Sequence, residues 1–299
     1  MSTTTDRKKV QIYLSEAAGF CQGVRRAIKL VRETALAEGR TLAYGELIHN
    51  RRVMHELEEL GVHVIEDPAC VDAVVVTRAH GITSRERQAL EASGQRIIDG
   101  TCLLVTRIKE SIDSALASGA LVVILGHAQH PEVVGLVDGR DEIIVVGSPL
   151  DLDEPQLGAA IKSAGRVALF SQSTQRLDLF EAVGCRLAAL NSRIELHDTI
   201  CTPTKTRQAG AVELARKVEI MIVVGDMHSS NSRRLAETAA EKVHTEMVSG
   251  AADLRPEWFA GLTRIGVTAG ASVPDTAIQE VLNSLCLMLD GEIVHSGTE

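Results

Sequence analysis

Three cysteines stand at matching places in this chain: Cys21 in Gly19-Phe20-Cys21, Cys102 in Gly100-Thr101-Cys102, and Cys201 in Thr199-Ile200-Cys201. Each follows a short apolar strand pattern and precedes an amphipathic helical one. A thiol at the start of a helix ionises readily, because the helix dipole favours negative charge there. A lone cysteine is usually a small buried hydrophobe, but three at one repeated junction point to a metal site. They lie about 80 and 100 residues apart with no C-x-x-C pair, so zinc-finger and ferredoxin signatures are absent. Structural zinc takes four ligands. Three cysteines suit a 4Fe–4S cluster with one iron open to substrate, and a three-cysteine zinc site completed by water or histidine stays open. Of the other cysteines, Cys185 and Cys286 fall on apolar helical faces and are read as core, while Cys70 carries no assignment.

Six further segments carry polar groups. His49-Asn50, His80-Gly81, Ser229-Ser230-Asn231 and Ser272 offer donors without acids, a composition that suits phosphate or diphosphate. His130-Pro131-Glu132 adds a carboxyl group beside an imidazole, a pair able to move protons. Ser173 and Thr174 could relay them. Some serines in such places are only helix caps, and Ser232 is read as one. His127 divides evenly between a functional and a structural role. His55, His63, His197, His228, His244 and His295 are read as solvated or structural.

The elements that position these groups repeat three times. Continuous apolar runs such as Val122-Val123-Ile124-Leu125 and Met221-Ile222-Val223-Val224 read as strands covered on both faces. They alternate with amphipathic stretches of helical length, which implies βαβ units and parallel sheets. Ser84 and Asp275 are expected helix caps. The expected organisation is an α/β protein of three similar parallel-sheet units in a pseudo-threefold trefoil. Its parts are a disordered tail over 1–10, units over 11–100, 101–199 and 200–290, and a segment 291–299 returning to the first unit. Ligands of parallel α/β sheets sit at the carboxyl ends of strands, where each unit carries its cysteine and two polar segments.

The totals agree with a globular protein: 299 residues, 45% hydrophobic, 24% charged and only 2% aromatic. A formal charge of −9 argues against a general nucleic-acid binder, which needs a broad basic face. No signal peptide is evident, and no apolar run approaches the ~20 residues needed to span a membrane. The default location is cytoplasmic, where structural disulfides are rare.

Eight segments, in order, carry a family resemblance: Gly19-Phe20-Cys21-Gln22-Gly23-Val24, Leu47-Ile48-His49-Asn50, Ala79-His80-Gly81, Thr101-Cys102, His130-Pro131-Glu132-Val133, Thr199-Ile200-Cys201, Ser229-Ser230-Asn231-Ser232 and Thr268-Ala269-Gly270-Ala271-Ser272. On these the chain resembles the IspH/LytB family of 4-hydroxy-3-methylbut-2-enyl diphosphate reductases. The resemblance implies one 4Fe–4S cluster per chain, held by Cys21, Cys102 and Cys201, with the fourth iron binding the allylic hydroxyl. It implies a diphosphate held by His49, His80, Ser229, Ser230, Asn231 and Ser272. Glu132 would supply protons, helped by His130 and Ser173. Ferredoxin or flavodoxin would deliver two electrons. The products would be isopentenyl and dimethylallyl diphosphate, at the last step of the methylerythritol phosphate pathway. A monomer or weak homodimer is expected, without nucleic-acid or membrane partners. Leu103 after Cys102, Pro203 after Cys201, Gln22 after Cys21 and Ser171-Gln172-Ser173-Thr174 depart from the usual family pattern. The alternatives are a paralogue with another substrate, a non-redox 4Fe–4S dehydratase of the quinolinate-synthase type, and a non-catalytic cluster-binding sensor.

Overall fold

A computed structural model describes residues 9–68 and 73–295. In chain order the elements are β1 (Val10–Leu14), α1 (Gln22–Glu38), β2 (Thr41–Tyr44), α2 (Arg51–Glu59), β3 (Val62–Ile65), β4 (Val74–Thr77), α3 (Ser84–Ala92) and β5 (Ile97–Ile98). Next come α4 (Leu103–Ala117), β6 (Leu121–Leu125), α5 (Pro131–Val137), β7 (Ile143–Val146), α6 (Pro155–Ser163), β8 (Val167–Ser171), α7 (Leu177–Leu190) and β9 (Ile194–Leu196). The last third holds α8 (Thr202–Ala215), β10 (Ile220–Val224), α9 (Ser230–Ala240), β11 (Thr245–Val248), β12 (Arg264–Ala269), α10 (Asp275–Leu289) and β13 (Gly291–His295).

Three parallel sheets result, with strand orders β3-β2-β4-β5, β7-β6-β8-β9 and β11-β10-β12-β1-β13. The first four strands of each order correspond. In every sheet the second strand runs into one polar segment, the third into another, and the fourth into a cysteine. The third sheet takes its fourth strand from the start of the chain, since β1 pairs in parallel with β12. The repeat is therefore circularly permuted. The strand before Cys21 lies with β10–β12, not with β2–β5 as the expected unit 11–100 had it. The closing strand β13 pairs in parallel with β1; residues 296–299 of the expected C-terminal segment lie outside the described residues. Lys9 and Val10 of the expected disordered tail are among the described residues, with Val10 in β1; residues 1–8 and Cys70 lie outside them.

The chain forms two compact units. Gln22–Cys201 holds the first two sheets, and the remainder, including Cys21, holds the third. The central strands β2, β4, β8 and β10 are buried along their whole length, which is why they read as unbroken apolar runs. Alternate residues serve opposite faces. Val122 and Ile124 of β6 meet Val105, Ile108 and Ile112 of α4, while Val123 and Leu125 meet Phe180, Val183 and Leu187 of α7. In the other unit Ile220, Ile222 and Val224 of β10 meet α10, and Met221 and Val223 meet α8 and α9. Cys286 packs against the α10 cluster as expected. Cys185 does not; it is exposed, on the outward side of α7.

One glycine shows how tightly the cysteine junctions are built. A Cβ on Gly100 would lie 2.1 Å from the Thr77 carbonyl oxygen, and the Gly100 N–H donates to Thr77 Oγ1 at 3.0 Å. Gly100→Ala is expected to lower stability by about 1–3 kcal/mol, the usual penalty of overpacking. Urea unfolding checks this; an unchanged midpoint contradicts it.

Candidate functional site

Each cysteine is fixed by the same bond. The Cys102 N–H donates to the Ala79 carbonyl at 3.0 Å, Cys201 to Ser173 at 2.9 Å, and Cys21 to Ala271 at 3.1 Å. The acceptors lie immediately before His80, at Ser173, and immediately before Ser272. In each sheet, then, one backbone bond ties the cysteine after the fourth strand to the polar segment after the third. All three cysteines are half-buried, and each directly precedes a helix: α1, α4 or α8. Three thiols in this common setting are a donor set that fits an iron–sulfur cluster. Cys21 has further support. Gly19 turns at φ +93°, and the buried Arg207 donates to its carbonyl through Nη2 and to Pro203 through Nη1.

Within Gln22–Cys201 three imidazoles meet. The rings of His49 and His80 stack at 4.6 Å, and His130 stands edge-on at 5.7 Å from His49 and 5.3 Å from His80. Burial holds the His80 ring well below the usual histidine range, and the neighbouring His49, His130 and Arg78 push it the same way. His80 is therefore neutral, and its Nδ1 is buried without a partner among the described residues. One nitrogen from each ring lies within 4.8 Å of the others, close enough to suggest a metal. The wiring favours an anion instead. His130 is the N-cap of α5, and its Nδ1 accepts the Glu132 N–H at 3.2 Å. That bond uses the Nδ1 lone pair, so the neutral ring carries its proton on Nε2 and presents a donor. His49 Nδ1 contacts Glu46 Oε2 at 3.2 Å, which orients that ring through its protonated nitrogen.

Two residues beyond His130, Glu132 is 1% exposed. Its Oε1 accepts the Ser173 N–H at 2.6 Å and its Oε2 the Ser173 hydroxyl at 2.7 Å. Burial raises its pKa, and the Ser173 bonds only partly offset the rise. Ser173 is held in turn by its neighbours. Gln172 is fully buried, donates to Thr174 Oγ1 at 2.9 Å and accepts the His127 N–H at 3.2 Å. Thr199 Oγ1 accepts the Ser171 N–H at 2.8 Å and donates to the Ser171 carbonyl at 2.7 Å. Thr174 is thus a structural partner of Gln172, and His127 acts through its backbone while its side chain is exposed.

The other unit holds Ser229, Ser230, Asn231 and Ser272, all buried. Ser229, not Ser232, caps α9. Ser232 lies inside the first turn, and its Oγ is 2.1 Å from where a Gly270 Cβ would stand and 2.3 Å from that of Gly225. Only glycine at those two places lets the strand ends close on the helix. The same approach brings Asn231 Nδ2 3.4 Å from the Gly270 Cβ position. Asn231 Nδ2 is buried and has no acceptor among the described residues. The expected caps at Ser84 and Asp275 also shift: Thr83 caps α3, in a reciprocal capping box with Glu86, and Pro274 precedes α10. Asn50 caps α2, its side chain accepting the Val53 N–H at 3.1 Å.

Sequence reading missed Arg78. Its Nε donates to the Gly81 carbonyl at 2.9 Å and its Nη2 to Glu86 at 2.9 Å, which fixes the turn after His80. The Thr83-Ser84-Arg85-Glu86 capping-box pattern was the available signal.

The family model described as "LytB protein" matches residues 12–286. The chain belongs to the LytB family. A relative from Geobacter metallireducens named 4-hydroxy-3-methylbut-2-enyl diphosphate reductase is 36% identical over 279 residues, 92% of this chain and 97% of the relative. One of the same name from Aquifex aeolicus is 34% identical over 290 residues, 96% and 100% of the two chains. A solved structure described as "(E)-4-Hydroxy-3-methyl-but-2-enyl Diphosphate Reductase, the Terminal Enzyme of the Non-Mevalonate Pathway" is 34% identical with a TM-score of 0.67, covering 92% of this chain and 99% of that one. The reductase structure from Plasmodium falciparum, 24% identical, shares the fold with a TM-score of 0.88 over 98% and 93% of the chains. In this LytB chain no described helix is long and apolar enough to cross a membrane.

Proposed function

We propose that this LytB-family chain is a 4-hydroxy-3-methylbut-2-enyl diphosphate reductase. It removes the allylic hydroxyl as water with two electrons and two protons and releases isopentenyl and dimethylallyl diphosphate. One observation carries the reading beyond family membership: the start of α5 holds an imidazole, His130, at its N-cap and a buried carboxyl with a raised pKa, Glu132, two residues on. A substrate with a diphosphate at one end and a hydroxyl to be protonated at the other needs both.

Cys21, Cys102 and Cys201 hold the 4Fe–4S cluster in this reading, supported by their common junction and half-buried thiols. When bound, the cluster supplies electrons and Lewis-acid help to a leaving group that is poor on its own. His49, His80, Ser229, Ser230, Asn231 and Ser272 bind the diphosphate, and His130 stands beside His49 and His80. Glu132 protonates the departing oxygen. In the acid form its hydroxyl donates to Ser173 Oγ across the 2.7 Å contact, and the serine hydroxyl passes a proton onward. Ferredoxin or flavodoxin is the proposed donor, and the chain works in the cytoplasm as a monomer or weak homodimer. Turnover under anoxia with a chemical reductant tests the reaction. A requirement for external electrons separates it from a dehydratase, and conversion without them rejects it.

A diphosphate beside His80 should also draw a proton onto the ring, because the anion favours the charged form that burial disfavours. Binding of inorganic diphosphate is expected to take up protons, read by calorimetry in two buffers of different ionisation enthalpy. His80→Asn should weaken that binding by about 10–100-fold, equivalent to roughly 1.5–3 kcal/mol for a lost charged hydrogen bond. Equal affinity in parent and variant contradicts the assignment.

A further inference from the structure

Asp138 holds an unusual backbone conformation. It ends α5 in the left-handed region, φ 52° and ψ 38°, one of two non-glycine residues with positive φ among those described. Such a conformation costs about 1 kcal/mol or more outside glycine, so the side chain must bring a return. The Asp138 carboxylate is nearly buried, 10% exposed, and makes three bonds. Oδ1 accepts the Ser84 N–H at 2.6 Å, and Oδ2 accepts the Ser84 hydroxyl at 2.5 Å and Lys109 Nζ at 2.8 Å. Burial pushes this carboxyl up, but the bonds from Lys109 and Ser84 outweigh it and hold it below the usual range.

These partners are not arbitrary. Ser84 opens α3, the helix that follows His80, and its N–H is one of the helix-start donors that lack a helical acceptor. Lys109 lies on α4, two turns beyond Cys102. Asp138 itself ends the short helix that begins at His130 and Glu132. The faces joined this way are in contact: a Cβ on Gly135 of α5 would lie 3.8 Å from the His80 carbonyl oxygen and 3.9 Å from the backbone of Gly81 and Ile82.

We propose that Asp138 is a positioning residue that locks α5 to the start of α3 and the middle of α4, and so fixes His130 and Glu132 relative to His80. The inference rests on the proposed diphosphate role of the histidines. It goes beyond that role by naming what sets their spacing, which the 5.3 Å edge-on contact of His80 and His130 makes exacting.

Asp138→Gly separates positioning from stability, because glycine takes left-handed φ without strain and is the favoured helix terminator. In the iron-loaded full chain its thermal midpoint should stay within a few degrees of the parent. The dissociation constant for inorganic diphosphate should rise about 10-fold, the size expected when one supporting bond network is lost, and the His80 and His130 imidazole resonances should move in nitrogen NMR. Parent-like affinity, within about two-fold, with unmoved resonances overturns the proposal. If Asp138→Gly does not fold, Ser84→Ala and Lys109→Met carry the test. Each is expected to raise the constant about 3-fold, and parent-like affinity in both overturns the role. His80→Asn is measured alongside: if it too binds like the parent, the diphosphate reading and this inference fall together. If only His80→Asn loses binding, the positioning role alone is rejected.

Discussion

Glu132→Gln is expected to lower kcat by about 10²–10⁴-fold, the usual contribution of a positioned proton donor, while KM changes little. Glutamine fits the same space. Its carbonyl oxygen can accept the Ser173 N–H in place of Oε1, and its amide can donate to Ser173 Oγ in place of the acid hydroxyl. What it cannot do is release a proton. A loss confined to kcat marks an interaction made in the transition state and not in binding. The variant should at the same time be more stable than the parent at alkaline pH. The folded pKa of Glu132 is raised above the ordinary value of 4.5, with burial the leading cause. A raised acid contributes its full stability below the unfolded pKa and loses it as pH rises through the folded one. Above that point the parent carries a buried charge and the glutamine variant does not. The melting temperature of Glu132→Gln should therefore exceed the parent's near about pH 8 and match it near about pH 4. Melting curves at the two pH values check the sign. A variant that turns over normally, or is less stable at alkaline pH alone, contradicts the proton-donor role.

The second large effect concerns the cysteines. Cys102→Ser is expected to abolish turnover and strip iron and sulfide from anaerobically purified protein, because a serine hydroxyl is a far poorer ligand for a cluster held by thiolates. The fold should survive. Cys102 lies beside the α4 cluster but outside its fully buried set, and its anchoring bond to Ala79 comes from the backbone. Cys185→Ser is the matched control. That thiol is exposed, away from any junction, and its loss should leave iron content and turnover unchanged. Iron and sulfide analysis with the visible spectrum checks both. Retention of a full cluster in Cys102→Ser removes the ligand assignment.

Much of this architecture is legible in the residues, for identifiable reasons. The three sheets announce themselves because strands covered on both faces must be apolar throughout, as at Val122–Leu125. The cysteine junctions are legible because strand, turn and helix recur around them. The permutation is not legible locally. Nothing in Val10–Leu14 says that it pairs with Arg264–Val267 at the far end of the chain, since a buried parallel strand carries no mark of its partner. Caps are blurred for a related reason. Ser229 and Ser232 have the same chemistry three residues apart, and only the close approach of Gly225 and Gly270 decides which hydroxyl is turned inward. Cys185 was misread because one apolar helical face looks like another until the sheet that one of them covers is known. The site shows a similar division. His49, His80, His130 and Glu132 are visible as residue types beside strand ends. The neutrality of His80 and the raised acid of Glu132 come from burial, which depends on the assembled fold. Asp138 shows how far this goes: an aspartate before a glycine reads as a turn, and its bonds to Ser84 and Lys109 join residues 54 and 29 positions away.

The stacked imidazoles and the buried Glu132–Ser173 pair belong to one unit, with His130 and Glu132 both at the start of α5. The departures at Gln22, Leu103 and Pro203 adjoin the three cysteines, yet each cysteine keeps its anchoring backbone bond. Ser173 offers a hydroxyl bonded to Glu132.

The most direct measurement is anaerobic turnover of 4-hydroxy-3-methylbut-2-enyl diphosphate by the iron-loaded protein, following oxidation of reduced methyl viologen and formation of product together. The expected result is two electrons consumed for each isopentenyl or dimethylallyl diphosphate formed, with Glu132→Gln loaded with iron but stalled. The contradicting result is a fully iron-loaded protein that oxidises no viologen in the presence of this substrate, or that converts it without any external reductant.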